Sequence, residues 1–174
     1  ECKACKSECP SNVDMAKIKY EFKAHYYAKH GRPLRSLLFA NIELAGKLGC
    51  VVAPLANWFA NTSLSKWAMS RLGIAPGRSL PPFARQTFTH WFSRRRTSRA
   101  EKKVVFFSDT YMTYNYPEIG KAAIALFEAA GYEVILAVKR CCGRPMLSSG
   151  MIDRVKENAV FNIDHLYQYT EQGY

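Results

Sequence analysis

Lys103-Val104-Val105-Phe106-Phe107-Ser108-Asp109-Thr110 and Glu133-Val134-Ile135-Leu136-Ala137-Val138 decide the fold of this chain. Each is a short apolar run rich in β-branched or aromatic residues, the composition of a buried strand. Between them, Tyr116-Pro117-Glu118 opens a helix with proline in its first turn. Ile119, Ala122, Ala123, Leu126, Phe127 and Ala130 then recur at helical spacing, and Gly131 caps them. A strand–helix–strand unit predicts a parallel pair with a right-handed crossover. Loops beyond the carboxyl ends of parallel strands commonly carry function. Two fall there: Ser108-Asp109-Thr110 and Cys141-Cys142-Gly143. Glycine after the twin cysteines lets a ligand approach the backbone closely. The plainer reading of Cys141 and Cys142 is a pair of small buried groups. A long final helix is expected over about 149–172.

Upstream, the pattern is helical throughout. Asp14 reads as the N-cap of a helix reaching about Lys29, with Ile18, Phe22, Tyr26 and Tyr27 on its apolar positions. His30-Gly31-Arg32-Pro33 ends it. A second helix is predicted from Leu34 to about Leu48. A third is predicted from Pro54 to Leu72, interrupted near Asn61–Ser63. Residues 76–103 read as a connector with a short helix near Phe83–Phe92. There Phe83, Phe88 and Trp91 are packing groups and Arg94-Arg95-Arg96 is a solvated basic run. Cys50 is apolar-flanked and reads as a buried structural cysteine.

Charge divides the chain at the same place. Its net +11 is made of 19 Lys/Arg against 6 Asp/Glu in residues 1–103 and 6 against 8 in residues 104–174. The step predicts two modules, 1–103 and 104–174. The basic one suits an acidic partner surface or a peripheral contact with an anionic membrane face. No zinc-finger, RNP-type or helix-turn-helix pattern accompanies it, so nucleic acid is not an expected partner. No apolar run reaches the ~18 residues of a spanning helix. The six cysteines, two of them adjacent and three clustered, suit metal chemistry in a reducing, cytoplasmic setting better than a disulfide framework.

The cluster is Glu1-Cys2-Lys3-Ala4-Cys5-Lys6-Ser7-Glu8-Cys9-Pro10. Its C-x2-C-x3-C-P spacing matches the last three cysteines of the iron–sulfur run C-x2-C-x2-C-x3-C-P. In two-cluster proteins the cysteine before proline crosses to the second cluster. Cys2 and Cys5 are thus expected to serve one cluster and Cys9 its neighbour, with neither set closing a four-thiolate site alone. The run is expected to be cut at its first cysteine. Zinc on C-x2-C…H-x4-H, with His25 and His30, competes with this reading, as does a thioredoxin-like dithiol. Neither accounts for Cys9-Pro10.

Together, the segment 104–160 with Cys141-Cys142-Gly143-Arg144-Pro145 resembles the cysteine-rich CCG domain. That domain occurs in heterodisulfide reductase-like proteins, anaerobic glycerol-3-phosphate dehydrogenase, glycolate oxidase iron–sulfur subunits and lactate-utilisation proteins. With the cysteine run, His30-Gly31-Arg32-Pro33-Leu34 and Ser108-Asp109-Thr110-Tyr111, nearly the whole chain resembles the C-terminal iron–sulfur region of FAD-linked oxidases of the D-lactate dehydrogenase and glycolate oxidase type. The resemblance implies an α+β fold: an all-helical, ferredoxin-derived half followed by a small α/β parallel-sheet module, truncated at both ends. It implies [4Fe–4S] clusters using Cys2, Cys5 and Cys9, and an FAD on an upstream flavin domain of the same polypeptide. It implies electron transfer from a 2-hydroxy acid to a quinone or other downstream acceptor, with no catalytic residue in the chain itself. Cys141, Cys142, Gly143 and Asp109 are its cofactor-site candidates. Two departures weigh against a noncubane cluster. The family's earlier cysteine falls on Asp109, and its later Cys-x-x-Cys half would follow Tyr174. Asp109 could ligate a metal, orient a hydroxyl-bearing ligand, or cap the turn after it.

Overall fold

The computed structural model describes residues 4–75, 77, 79–96 and 99–174. The architecture is α+β, with helices surrounding a small parallel sheet. β1 (Lys102–Phe106) pairs in parallel with β2 (Tyr132–Leu136), placing Val104 beside Val134 and Phe106 beside Leu136. Among the described residues seven helices precede β1: α1 (Cys5–Glu8), α2 (Met15–His30), α3 (Leu34–Ala40), α4 (Ile42–Val51), α5 (Ala53–Ala60), α6 (Ser63–Arg71) and α7 (Phe88–Arg94). α8 (Thr110–Tyr114) and α9 (Pro117–Ala129) make the crossover, and α10 (Arg144–Ser148) and α11 (Ile152–Glu171) follow β2.

Local chemistry sets most of these limits. The Asp14 carboxylate accepts from the Lys17 amide at 2.9 Å, capping α2, and Gly31 leaves that helix at φ +77°. Thr62 and Thr87 cap α6 and α7 in the same way. The expected single helix over 34–48 is instead two, broken at Asn41. Asn41 sits at φ −101°, ψ +30°, and its side chain is occupied twice over. Its Nδ2 donates to Leu37 O, and its Oδ1 accepts from both terminal nitrogens of Arg154 on α11. Arg144-Pro145 forms the extra short helix α10, with proline in the first turn, so the last helix begins only at Ile152.

The core lies on the sheet. Phe88, Ile124 and Val134 are at most 1% exposed, flanked by Trp91, Phe92, Phe106 and Phe127. Phe88 comes from α7, so residues before the charge step share a core with residues after it. A second cluster of Ala40, Met146 and Met151 joins α3 to α10 and α11. Asn57 clamps the Phe83 backbone, donating to its carbonyl at 2.9 Å and accepting from its amide at 2.8 Å. Arg95 departs from the solvated-linker expectation. Its side chain is 9% exposed, pairs with Glu128 of α9 and lies over the rings of Phe92 and Trp91.

Cys50 is half-buried rather than fully buried, and its Sγ donates to Tyr114 O at 3.2 Å. Burial pushes this thiol above its ordinary pKa, against a smaller opposite effect of the Ala84 backbone. Burial also pushes the Tyr114 phenol up, helped by Glu43 and Cys50. A proton held more tightly in the folded state adds stability below the unfolded pKa, and that stability is lost as pH rises through the folded one. Denaturant melts should therefore show stability falling from about pH 8.5 upward, with a shallower fall in Cys50→Ala. A second prediction concerns Gly120, where an added Cβ would stand 2.6 Å from the Phe88 ring and 2.9 Å from Met112 Sδ. Gly120→Val should cost about 2 kcal/mol or more in urea unfolding, because overpacking outweighs the gain in helix propensity.

Candidate functional site

The carboxyl ends of β1 and β2 lie side by side, since Ala137 N donates to Phe106 O at 3.0 Å where the register ends. The two loops singled out from the sequence therefore leave the sheet from the same edge. The first runs through Ser108 and Asp109 into α8; the second through Arg140, Cys141 and Cys142 into Gly143 and α10. Thr110 Oγ1 points at Cys141 Sγ, 3.8 Å away, joining the loops directly.

The twin cysteines are not equivalent. Cys141 is 3% exposed, whereas Cys142 is exposed to solvent. Gly143 adopts φ +78°, a left-handed conformation natural to glycine, and a Cβ there would meet Val155 at 3.0 Å. The glycine thus turns the chain at once from the cysteines into α10, tightly against α11. Ser108 is 1% exposed, and its Oγ is a buried hydroxyl without a hydrogen-bond partner. Asp109 is engaged as a cap: its Oδ1 accepts from Met112 N at 2.7 Å and its carbonyl from Thr113 Oγ1 at 2.6 Å. Of the roles open to it, turn capping is the one its contacts describe.

Two residues that the sequence did not flag hold the cysteine loop. Asn162 of α11 accepts from Arg140 N at 2.7 Å and donates to Arg140 O at 3.2 Å, a two-point grip on one residue's backbone. One turn earlier, Asn158 Nδ2 donates to Cys141 O at 3.1 Å and lies 3.8 Å from Met146 Sδ. The signal available was two asparagines four apart on a helix otherwise patterned by apolar and charged residues. Asparagine satisfies a backbone amide and carbonyl together, as Asn57 also does at Phe83.

At the amino end, Cys2 lies outside the described residues. Cys5 begins α1 and is exposed; Cys9 caps its other end and is half-buried. One helical turn therefore separates two thiols, a partial ligand set. Among the described residues no group of three or more His, Cys, Asp or Glu side chains is placed to hold a metal ion. An iron–sulfur cubane needs four ligands, so Cys5 and Cys9 each supply only part of the set for the cluster expected of them. Cys141 and Cys142 present one buried and one exposed thiol at the strand-end loop. The zinc alternative gains nothing: His25 and His30 sit along α2 without joining Cys5 and Cys9 in such a group.

Comparison with known proteins bears on the strand-end loops first. Residues 104–172 match the family described as "Cysteine-rich domain", CCG. This part of the chain is similar to CCG domains. One subunit of the anaerobic glycerol-3-phosphate dehydrogenase of Escherichia coli K12 is 29% identical over 162 residues, 90% of this chain and 40% of that protein. D-2-hydroxyglutarate dehydrogenase of the same strain is 25% identical over 183 residues, 99% of this chain and 18% of that protein. Its namesake in Haemophilus influenzae is 24% identical over the same span. The chain thus spans well under half the length of these curated relatives. No solved structure matches it.

The site makes a prediction about the cysteine loop. Asn162→Ala leaves the Arg140 amide and carbonyl without their buried partner, a cost of about 1–3 kcal/mol. Alkylation followed by mass spectrometry should find Cys142 labelled quickly in both proteins. Cys141 should be labelled slowly in the parent and measurably faster in Asn162→Ala.

Proposed function

We propose that this chain is the electron-transfer module of a flavin-linked dehydrogenase that oxidises a 2-hydroxy acid and delivers electrons to a quinone or another carrier. The observation that carries the reading is the Cys141-Cys142-Gly143 loop at the end of a parallel βαβ unit, within a segment similar to CCG domains, in a chain whose relatives are named as dehydrogenases. The Cys2, Cys5 and Cys9 run adds iron–sulfur ligand spacing on the same polypeptide.

In this reading, Cys2 and Cys5 present thiolates to one cluster, and Cys9, at the other end of the helical turn that Cys5 begins, presents one to its neighbour. An iron–sulfur cofactor supplies one-electron chemistry when bound, and the protein tunes it through burial and hydrogen bonds. The chain's own contribution at the second site is positional. Asn158 and Asn162 fix the loop backbone, Gly143 turns it, and Thr110 lies against the buried sulfur. The FAD and the substrate pocket belong to the rest of the parent polypeptide, in keeping with the small share of each relative that this chain covers. The basic helical half is the surface toward the acceptor, with the cytoplasmic face of a membrane as a peripheral contact.

The test uses the intact protein that contains this chain. Iron, acid-labile sulfide and a broad visible absorption that bleaches on reduction are expected. Cys9→Ser should lower iron content and reduce acceptor-linked turnover on the order of tenfold or more, while reduction of the flavin by substrate persists. Cys50→Ser should leave iron content unchanged. A colourless protein holding zinc instead of iron would overturn the reading.

A further inference from the structure

A concavity of about 350 Å³ opens between α4, the segment after β2 and the start of α11. Lys47, Lys139, Arg140 and Arg154 line it, together with Asn41 and a single carboxylate, Glu43. These cations arrive from three separate parts of the chain. Among the described residues none of the four has a carboxylate oxygen within 4.0 Å. Three are held in place by neutral groups instead. Both terminal nitrogens of Arg154 donate to Asn41 Oδ1 at 3.2 Å. Lys139 Nζ lies 5.6 Å from the Phe107 ring centre, and the Arg140 guanidinium lies 4.3 Å over Phe161. Amide and ring contacts orient a cation without neutralising it. Like charges that line one concavity build a positive potential that favours an anion. Folding would not gather four cations around one carboxylate for stability, since they repel one another.

We propose that this concavity binds a small molecule through a phosphate or carboxylate group. Arg154 offers a planar fork of donors suited to either oxyanion, and Lys47 and Lys139 act as point charges. The occupant would also touch the cysteine loop. Met146 lines the same concavity, and its sulfur contacts the Asn158 amide that donates to Cys141 O. Occupancy should therefore steady that loop.

Calorimetric titration of the intact protein with inorganic phosphate, and separately with succinate, at ionic strength held constant with sodium chloride, tests the site. Saturable binding of one or both at one equivalent is expected, and which of them binds identifies the oxyanion. Lys47→Gln combined with Lys139→Gln should weaken binding at least tenfold, and Glu43→Gln should tighten it. Lys66→Gln, at an exposed cation on α6, should change nothing. Bound anion should slow alkylation of Cys141. Absence of saturable binding by either anion, or binding that ignores both Lys47→Gln with Lys139→Gln and Glu43→Gln, would overturn the proposal.

Discussion

The seating of Phe88 against Gly120 is the constraint on which the rest of this molecule depends. The Phe88 ring is 0% exposed, and a single added carbon on Gly120 would reach within 2.6 Å of it. That closeness sets how near α7 stands to α9. It also sets how deeply Phe88 reaches the sheet, where it meets Phe106 with ring centres 5.9 Å apart. Full burial of such a side chain is worth roughly 1.5–3 kcal/mol. Its larger effect is geometric, because it fixes the crossover helix over β1 and β2 and so fixes where their loops emerge. The same device recurs at other close approaches. Gly46 admits Tyr114, Gly49 admits Phe83, and Gly150 admits the backbone of α2, with each added Cβ falling within 2.8 Å of a neighbouring atom. Among the described residues few large side chains are fully buried, so close backbone approach substitutes for bulk in the core.

What could be read in the sequence was what is encoded within a few residues. Asp14, Gly31, Thr62 and Pro117 mark helix ends by their own chemistry, and the parallel pairing follows from two apolar runs around one amphipathic helix. What escaped depends on partners far along the chain. Asn41 breaks a helix whose apolar stripe runs straight through it, and the residue holding its side chain is 113 positions away. Arg95 sits in a run of three arginines that reads as solvated, yet Glu128 and two aromatic rings bury it. Asn158 and Asn162 carry the grip on the cysteine loop, and nothing local to α11 announces that role. The candidate site was thus legible in its reactive residues, Cys141 and Cys142, and illegible in the groups that position them.

The inequality of the twin cysteines has a physical origin in that grip. Asn162 holds both polar groups of Arg140, and Asn158 holds the next carbonyl, so two consecutive residues cannot rotate freely. With the backbone fixed, one side chain is committed inward, beside Thr110, and its neighbour outward. Ser108 adds a buried hydroxyl without a partner at the same strand end, a polar group whose desolvation is left uncompensated. Such a cost is tolerated where surrounding structure over-determines the position. β1 and β2 pack on the Phe88 core, and α11 holds the loop that follows β2.

Charge follows the same logic of long-range restraint. Between Leu44 and Ala100 the sequence has nine Lys/Arg and no Asp or Glu, so this stretch cannot neutralise itself. The carboxylate that meets its buried member comes from α9, where Glu128 pairs with Arg95. Two other nitrogens of that guanidinium, Nε and Nη2, are buried without hydrogen-bond partners. Its charged carbon lies 4.3 Å from the Phe92 ring centre and 5.8 Å from that of Trp91. Aromatic faces attract a desolvated cation electrostatically without supplying a proton acceptor. They offset part of what those two nitrogens lose by leaving water. The ion pair and the rings hold the last basic turn of the helical half against the crossover helix, beside the Phe88 core. The composition step at residue 103 is therefore a boundary in charge that the packing crosses, and the attraction across it keeps a surplus of positive charge folded onto the sheet.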